Sequence, residues 1–269
     1  MNVIRKVVLL TVVLCSAAAG TARAQLFLEQ GKVTLAVSAG ERLAKSLMIH
    51  NTTDQTLTIK AYWEDFEYQA PYDGSKVFLP AGTGKGSAGG WVNFSPREFT
   101  LVPFGKQSID YVVSVPQPLD GGHYGVMFFE RAGDPIRDAT GVQIVTRVGS
   151  LFFIEPRDLV KKASVDDIRA SGAKITGSFL NQSTVVLIPH MTYYVMDPDG
   201  LVLDRGEVKK LYVPPGASAG WDIALPAGLR AGNFTLVLNT DLEGGDVVVR
   251  EVDFVKDPAG SLSIEKIRE

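Results

Sequence analysis

The sequence predicts an all-β protein made of two tandem β-sandwiches that follow a cleaved signal peptide. Three features of the 269-residue chain predict it. Short segments rich in Val, Ile, Phe, Tyr and Thr recur between Gly, Pro, Asn and Asp residues, which is the pattern of strands and turns. One block of this pattern occurs twice. No long segment has the helical period of about 3.6 residues.

The N-terminal stretch MNVIRKVVLLTVVLCSAAAGTARAQ has the order of a signal peptide. Arg5 and Lys6 precede an apolar core, and a small-residue Ala-Arg-Ala site lies before Gln25. We therefore expect residues 1–24 to be removed and the mature protein to be periplasmic, secreted or held at the cell surface. No later segment reaches the roughly 20 apolar residues that a spanning helix needs, so we expect no transmembrane segment in the mature chain.

The single cysteine, Cys15, lies inside this signal. It follows Leu14, whereas a lipid-anchoring signal would have a small residue there, so cleavage is favoured over lipid anchoring. The mature chain then has no thiol, which excludes disulfides, thiol nucleophiles and thiolate metal sites. The hydrophobic core must hold the fold, and about 245 residues suffice for two cores of ordinary size.

The strand segments follow one another with turn residues between them. In chain order they are LAKSLMIHNTT, TLTIKAYWEDFEY, QSIDYVVSVP, HYGVMFFE, VQIVTRVGSLFFI, AKITGSFLN, VVLIPHMTYYVMD, GASAGWDIALP, NFTLVLNT and DVVVREVDFV. Strands at this spacing predict antiparallel sandwiches of around 100 residues each.

An internal repeat divides these strands into two sets. LVPFGKQSIDYVVSVPQPLDGGHYGVMFF parallels YVPPGASAGWDIALPAGLRAGNFTLVL, and LMIHNTTDQTLTI around Asn51 parallels GSFLNQSTVVLI around Asn181. The match predicts two copies of one sandwich topology. We predict an N-terminal domain over residues 25–156 and a C-terminal domain over residues 157–269, joined by the segment EPRDLVKK.

The first copy is longer than the second, and the excess holds the glycine-rich run PAGTGKGSAGGW. A phosphate-binding loop needs Ser or Thr after its Gly-Lys pair and a helix behind it. Here Gly86 follows Lys85, and a strand pattern begins at Trp91. The run is therefore interpreted as a mobile surface linker, and residues 73–90 are expected to be dispensable for folding.

Charge and motif content argue against catalysis and nucleic-acid binding. The formal net charge is −3 with both signs interspersed, so there is no basic stripe for a nucleic acid. His50, His123 and His190 lie in unrelated strands, and neither a GxSxG elbow nor an HExxH pair occurs. The segment DPDG at residues 197–200 predicts a hairpin turn and not a calcium loop, whose later ligands are missing. We expect no enzymatic activity, no cofactor and no bound metal.

The segment WVNFSPREFTLVPFGKQSIDYVVSVP, followed by VTRVGSLFFIEP and a second sandwich, resembles the periplasmic pilus-assembly chaperones. In that family an alternating strand that ends in an aromatic pair and proline precedes the domain boundary, as GVQIVTRVGSLFFIEP does here. The resemblance covers most of the mature chain. It implies an L of two immunoglobulin-like domains that lends a strand to an incomplete pilin subunit by β-augmentation.

Two features depart from that family. The resemblance implies a cleft Arg on the first strand and a Lys on the lending strand, which together anchor the subunit carboxylate. No such Arg occurs at residues 33–37 and no such Lys occurs near Ser150, although Arg147 is nearby. The segment SVPQPLDGGHYGVMFFE is similar instead to the two-domain extracellular proteins that accompany WxL surface proteins. That group implies wall or surface binding with a C-terminal membrane anchor, which the ending DPAGSLSIEKIRE lacks.

The preferred hypothesis is a non-catalytic exported protein that binds another exported chain, such as a pilin-like subunit, through the strand at residues 142–151. Val142, Ile144 and Val148 share one mainly apolar face of this strand, and Arg147 lies on the other. These four are the predicted partner-binding residues, because β-augmentation needs an exposed edge strand. The alternative is that the same strand is buried in the core.

The second hypothesis is a cell-surface module that binds glycan or peptidoglycan. Such a module would use exposed aromatic side chains. The candidates are Trp63, Phe66, Tyr68, Tyr72 and Trp91. Packing of the same aromatics in the core is the other interpretation of this cluster.

Overall fold

The computed structural model describes residues 25–132, 136–137, 143–144 and 147–269. Every regular element within these ranges is a β-strand, as the sequence predicts. The predicted signal peptide, residues 1–24, lies outside the described residues. Within the ranges given above, no helix has the length and apolar character needed to cross a membrane.

The first twelve strands follow the chain from Leu26 to Pro156. They are β1 (Leu26–Leu28), β2 (Lys32–Val37), β3 (Arg42–Asn51), β4 (Leu57–Tyr68), β5 (Lys76–Pro80), β6 (Val92–Ser95), β7 (Glu98–Leu101), β8 (Lys106–Ser114), β9 (His123–Ala132), β10 (Ile136–Arg137), β11 (Gln143–Ile144) and β12 (Arg147–Pro156).

Two sheets of these strands enclose the first core. One sheet has the order β1-β3-β8-β6, and the other has the order β2-β12-β9-β4-β5 with β7 also paired to β4. The pair of β2 with β12 is parallel, and β9 pairs antiparallel with both β12 and β4. Alternate residues of each strand face the space between the sheets, where Tyr111, Phe129 and Phe152 are fully buried. This alternation is what two sheets packed face to face require.

The second sandwich holds the remaining strands. They are β13 (Ala163–Ser171), β14 (Lys174–Asn181), β15 (His190–Met196), β16 (Val202–Glu207), β17 (Ser218–Ala224), β18 (Gly232–Asp241), β19 (Val247–Lys256) and β20 (Leu262–Arg268). Their sheets have the orders β13-β14-β17 and β16-β15-β18-β19-β20, and Phe179, Trp221 and Phe254 lie in the core between them. The fold is two tandem immunoglobulin-like sandwiches. The domain boundary at residue 156 stays a prediction.

The internal repeat is visible in the side chains of two asparagines that close equivalent turns. Asn51 Nδ2 donates to the carbonyl oxygens of Gln55 at 2.7 Å and Val102 at 3.0 Å. Asn181 Nδ2 donates to the carbonyl oxygens of Val185 and Val213, both at 2.8 Å. Each side chain therefore ties a loop between two strands to the turn that precedes β8 or β17, and the repeat is confirmed in three dimensions.

The structure corrects one pairing in this repeat, that of Gly105, by one residue, while Val102 and Val213 keep their predicted match. The backbone amides of the two asparagines donate to the carbonyls of Gly105 and Ala217, respectively. The sequence match paired Gly105 with Gly216, whereas these hydrogen bonds pair Gly105 with Ala217. Phe104, with a φ of +56°, therefore occupies the position of Gly216, with a φ of +72°.

A third apolar cluster joins the two sandwiches across the outer face of the β9 and β12 strands. Its buried members are Phe66, Tyr68, Tyr124, Val126, Phe128, Phe153 and Val186. Val186 N donates to the Tyr124 hydroxyl at 2.7 Å, and Gly122 N donates to the Thr184 carbonyl at 2.9 Å. The second sandwich is thus hydrogen-bonded to one end of the first.

The glycine-rich run is a surface loop, as predicted, but hydrogen bonds hold it in place, so its interpretation as a mobile linker is wrong. The loop after β5 folds around the side chain of Asp65, which is 1 % exposed. The amides of Gly82, Thr83 and Gly84 all donate to one carboxylate oxygen, at 2.8, 3.0 and 3.1 Å. Successive backbone N–H groups of this kind form an anion-binding nest. The run does cradle an anion, but the anion belongs to this chain.

The segment at residues 197–200 forms the predicted hairpin turn between β15 and β16. Asp197 Oδ1 accepts the amide hydrogens of Asp199 at 3.0 Å and Leu201 at 2.9 Å. Gly200 has a φ of +82°, which only glycine adopts without strain.

Candidate functional site

One edge of β12 is free over part of its length. β12 pairs with β9 over Arg147–Ile154, but β2 covers its other side only from Leu151 to Pro156. Leu151 N donates to the Gly31 carbonyl at 3.0 Å. Because the backbone groups of alternate residues point to the same side of a strand, the N–H and C=O of Arg147 and Gly149 point to the side that β2 leaves open. No strand in the described part of the chain pairs with them there.

The side chains of this free segment leave its backbone accessible. Val148 packs against the first core, and buried Ser150 donates from its hydroxyl to the Gln30 carbonyl at 2.7 Å. Gly149 has no room for a side chain, because a Cβ there would lie 2.6 Å from Val126 Cγ2 and 2.9 Å from the Phe128 ring. A glycine at this point presents bare backbone at the sheet edge.

The remaining predicted partner-binding residues precede this segment. Ile144 lies in β11, where it pairs with Ile136 of β10. Val142 lies outside the described residues. The structure therefore brings Arg147 and Val148 together on the free edge, with Val148 on the core side as the alternation predicts.

Arg147 is already engaged on the outer face of the sheet. Its Nη1 lies 3.2 Å from the Tyr62 hydroxyl and 3.4 Å from the Glu64 carboxylate. Its guanidinium carbon lies 4.0 Å from the centroid of the Phe128 ring. The hydrogen bond with Tyr62 is the main reason why the pKa of Arg147 is raised above its usual range. Arg147 is thus a paired, stacked cation.

Lys32 is an exposed cation on the first strand of the large sheet, and the sequence search missed it. It lies opposite Leu151 in the parallel pair, one residue before the segment in which an Arg was sought. Its ammonium nitrogen lies 4.5 Å from the centroid of the Phe153 ring. It makes no ion pair with any side chain that the structure describes. A pattern that accepted Lys as well as Arg and began at residue 32 would have found it.

A half-buried carboxylate, that of Glu155, lies near Lys32 and the junction of the sandwiches. Burial raises the pKa of the Glu155 carboxyl, while Lys161, Lys32 and the Tyr124 hydroxyl act in the opposite direction. The Tyr124 hydroxyl lies 3.5 Å from Glu155 Oε1. Lys161 Nζ donates to the Leu242 carbonyl of the second sandwich at 3.0 Å. Charged groups of both signs therefore meet at the junction.

Three of the five predicted surface aromatics are buried, and the other two are half-buried. Trp63, Phe66 and Tyr68 are only 8, 4 and 7 % exposed, because β4 is covered on its two faces by the first core and by the cluster that joins the sandwiches. Trp91 is half-buried against the first core, and Tyr72 is half-buried between the other two clusters. Trp63, Phe66 and Tyr68 therefore form no exposed platform. Phe66, Tyr68 and Tyr72 instead line the cleft between the sandwiches.

The cleft between the sandwiches has a volume of about 710 Å³. It is bounded by Tyr124 and His123 on one side and by Thr184 and Pro214 on the other. His123 Nδ1 donates to the Ser87 carbonyl at 2.9 Å, so this ring serves to fix the glycine-rich loop. Among the residues that the structure describes, no group of three or more His, Cys, Asp and Glu side chains could hold a metal ion.

Comparison with solved structures identifies the fold. The chain is similar to the class 5 fimbriae chaperone CfaA, with a TM-score of 0.52 and 11 % identity over 83 % of this chain and 97 % of that one. It is similarly related to a structure of the chaperone–tip adhesin complex of CFA/I fimbriae biogenesis, with a TM-score of 0.51 and 13 % identity over 84 % of this chain and 97 % of that one. No protein-family model and no curated protein matches the sequence. The resemblance to pilus-assembly chaperones is thus shown at the level of the two-domain fold.

Proposed function

We propose that this protein, which has the two-domain fold of fimbrial chaperones, is a non-catalytic exported protein that holds another exported chain as an added β-strand. The observation that carries the proposal is the free edge of β12, where the N–H and C=O groups of Arg147 and Gly149 have no partner in the described chain. An unpaired edge of this kind is a template for a strand from another chain.

The chemistry of the edge favours an extended segment over a folded surface. Val148 and Ser150 are directed into the sandwich, and Gly149 adds no side chain, so hydrogen bonds to the backbone provide most of the contact. Such bonds do not depend on the partner's sequence, and specificity comes from side chains at alternate positions of the added strand. The tightest match is therefore expected from a segment with apolar residues at every second position.

Lys32 supports a second contact, to a carboxylate of the bound segment. Its ammonium group is exposed and without an ion pair in the described chain, and it lies beside the point where β2 begins to cover β12. Arg147 is less suited to this contact, because Glu64 already neutralises it. We therefore assign the role of anchoring cation to Lys32 and keep Arg147 as a contact residue on the outer face.

The partner class we propose is a fimbrial subunit, handled in the periplasm. A protein of the same fold is found with a tip adhesin of CFA/I fimbriae, and residues 1–24 have the pattern of an export signal. The glycan-binding alternative is less favoured, because three of its five aromatic candidates, Trp63, Phe66 and Tyr68, are buried.

The experiment compares Arg147→Pro with Arg147→Ala in the tagged mature protein, isolated from the cell envelope with its bound subunit. Both variants lose the Arg147 side chain, but only proline also removes the N–H on the free edge, while the bonds to β9 remain. We expect Arg147→Ala to retain most of the captured subunit. Arg147→Pro should capture at least about fivefold less than Arg147→Ala, because one hydrogen bond contributes about 1 kcal/mol and the proline ring also obstructs the added strand. Equal capture by the two variants, with unchanged thermal melts, would refute the proposal.

A further inference from the structure

The two sandwiches are joined end to end, and each has one end that remains unused. β8 runs from the turn at residues 102–105 to the loop at residues 115–122, and β17 runs from residues 213–217 to the loop at residues 225–231. In the first sandwich, the loop end contacts the turn end of the second, where Gly122 N donates to the Thr184 carbonyl at 2.9 Å. Val102 and Phe104 at the turn end of the first sandwich, and Leu203 at the loop end of the second, are exposed.

The free turn end of the first sandwich carries an apolar tip, formed by Val102, Pro103 and Phe104. The side chains of Val102 and Phe104 are 61 and 71 % exposed. Phe104 has a φ of +56°, which is unfavourable for a bulky residue, and its amide donates to the Thr53 carbonyl at 3.0 Å. The second sandwich has Gly216 at this position. Phe104 is therefore strained and solvent-exposed where a glycine would serve the turn better, and strain of this kind points to a use outside the turn.

The free loop end of the second sandwich carries an open cavity of about 630 Å³. Its apolar lining includes Pro198, Leu203, Pro226 and Leu229, and Asp197 and Arg230 supply one charge of each sign. Leu203 is 43 % exposed. The corresponding loop of the first sandwich, at residues 115–122, lines the cleft between the sandwiches. Within one chain, a loop end of this kind therefore already receives the turn end of the next sandwich.

We propose that the free turn end of one copy of this protein docks into the free loop end of a second copy, in a head-to-tail contact. Phe104 would enter the cavity beside Leu203, and the acidic side chain of Asp54, on the loop next to the tip, would face Arg230. The contact between two copies would then join a loop end to a turn end, as the contact between the two sandwiches of one chain does. Because the two surfaces differ, the contact is heterologous, and a pair of copies keeps one free surface of each kind.

The test is sedimentation of the purified mature protein over a wide concentration range, with Phe104→Gly, Leu203→Asp and the control Val160→Ser. Glycine suits the positive φ at position 104, so Phe104→Gly should stay folded. Val160 is 79 % exposed, at least as much as the tip residues, and lies in the segment between β12 and β13, away from both free ends. We expect the wild type and Val160→Ser to associate as concentration rises, and each of the other two variants to remain monomeric.

Mixing the two defective variants separates this contact from any other mode of association. Phe104→Gly retains an intact cavity and Leu203→Asp retains an intact tip, so an equimolar mixture should form one dimer that does not grow further. A wild type that stays monomeric up to millimolar concentration would overturn the proposal. So would a Phe104→Gly variant that associates like the wild type, or a mixture that stays monomeric. Capture of a subunit on β12 does not enter these measurements, so the two proposals can fail separately.

Discussion

The carboxylate of Asp65 accepts the backbone N–H of Gly82 at 2.8 Å, and this contact turns a glycine-rich run into a fixed loop. The same side chain also accepts the Trp63 Nε1 hydrogen at 3.3 Å. One buried carboxylate on β4 thus holds the loop after β5 and fixes the indole of Trp63, a member of the first core.

Replacing Asp65 by alanine should destabilise the protein strongly. The amides of the loop and the Trp63 indole N–H would lose their acceptor, and a buried donor left without a partner costs about 1–3 kcal/mol. We expect a loss of about 3 kcal/mol or more in the free energy of unfolding, measured by urea denaturation, and a smaller loss for Asp65→Asn. An alanine variant within about 1 kcal/mol of the wild type, the range of a single ordinary hydrogen bond, would show that the loop does not depend on Asp65.

Shortening the glycine-rich loop should also be costly, contrary to the expectation from composition. Deletion of residues 82–86 removes the N–H groups that solvate the buried carboxylate of Asp65, and an unpaired buried charge is strongly unfavourable. In the Asp65→Ala background the same deletion should cost much less, because the two changes remove the same interaction. Additive losses in a double-mutant cycle would contradict this coupling.

Tyr124→Phe should weaken the junction between the sandwiches. The change removes the hydroxyl that accepts the Val186 N–H at 2.7 Å and leaves that buried amide without its acceptor, at about 1–3 kcal/mol. We expect a lower melting temperature and faster proteolytic cleavage within the linker at residues 157–162. Tyr68→Phe, in the same cluster, is the matched control. Equal proteolysis rates for Tyr124→Phe and the wild type would count against a role of this bond in the junction.

Glu155 should make the stability of the protein depend on pH. Its carboxyl has a raised pKa in the folded state because burial disfavours the charged form. A raised folded-state pKa stabilises the protein below the unfolded-state pKa, and this contribution is lost as the pH rises through the folded-state pKa. Glu155→Gln should therefore melt higher than the wild type at neutral pH, and the difference should shrink as the pH falls through the raised folded-state pKa of Glu155 and vanish below the ordinary pKa of a glutamate carboxyl. A constant difference across this range would argue against the assignment.

Lys32 should discriminate between bound segments that end in a free carboxylate and those that end in an amide, if the proposed function holds. With synthetic alternating apolar peptides of both kinds, the wild type and Lys32→Arg should bind the free acid more tightly than the amide. Lys32→Ala should lose that preference while it binds the amide unchanged, since a charge-assisted contact is worth about 1.5–3 kcal/mol. Peptide affinities from fluorescence anisotropy test this. A preference retained by Lys32→Ala would place the anchor elsewhere.

Several parts of the fold could be predicted because they depend on neighbours along the chain. The alternation of apolar residues predicts strands directly, since successive side chains of a strand point to opposite faces. The hairpin turn at residues 197–200 depends on the local chemistry of Asp and Gly. The repeat around Asn51 and Asn181 was visible because both copies use the same side chain for the same turn.

The features that the sequence predicted wrongly depend on residues that are not neighbours along the chain. The aromatics of β4 alternate like a half-exposed strand, but the second sandwich covers the face that would otherwise meet water, so Phe66 and Tyr68 are buried. The glycine-rich run reads as flexible from its composition alone, because the acceptor that holds it, Asp65, precedes Gly82 by 17 residues.

The sequence by itself determined the all-β class, the two sandwiches and the strand around Arg147, because hydrophobic period and turn chemistry are local properties. Only the tertiary structure decided that this strand has a free edge and that Lys32 lies beside it. That outcome depends on where β2 begins to pair with β12, at Leu151. Pairing between strands more than a hundred residues apart is set by the packing of the whole sheet, and no local pattern encodes it.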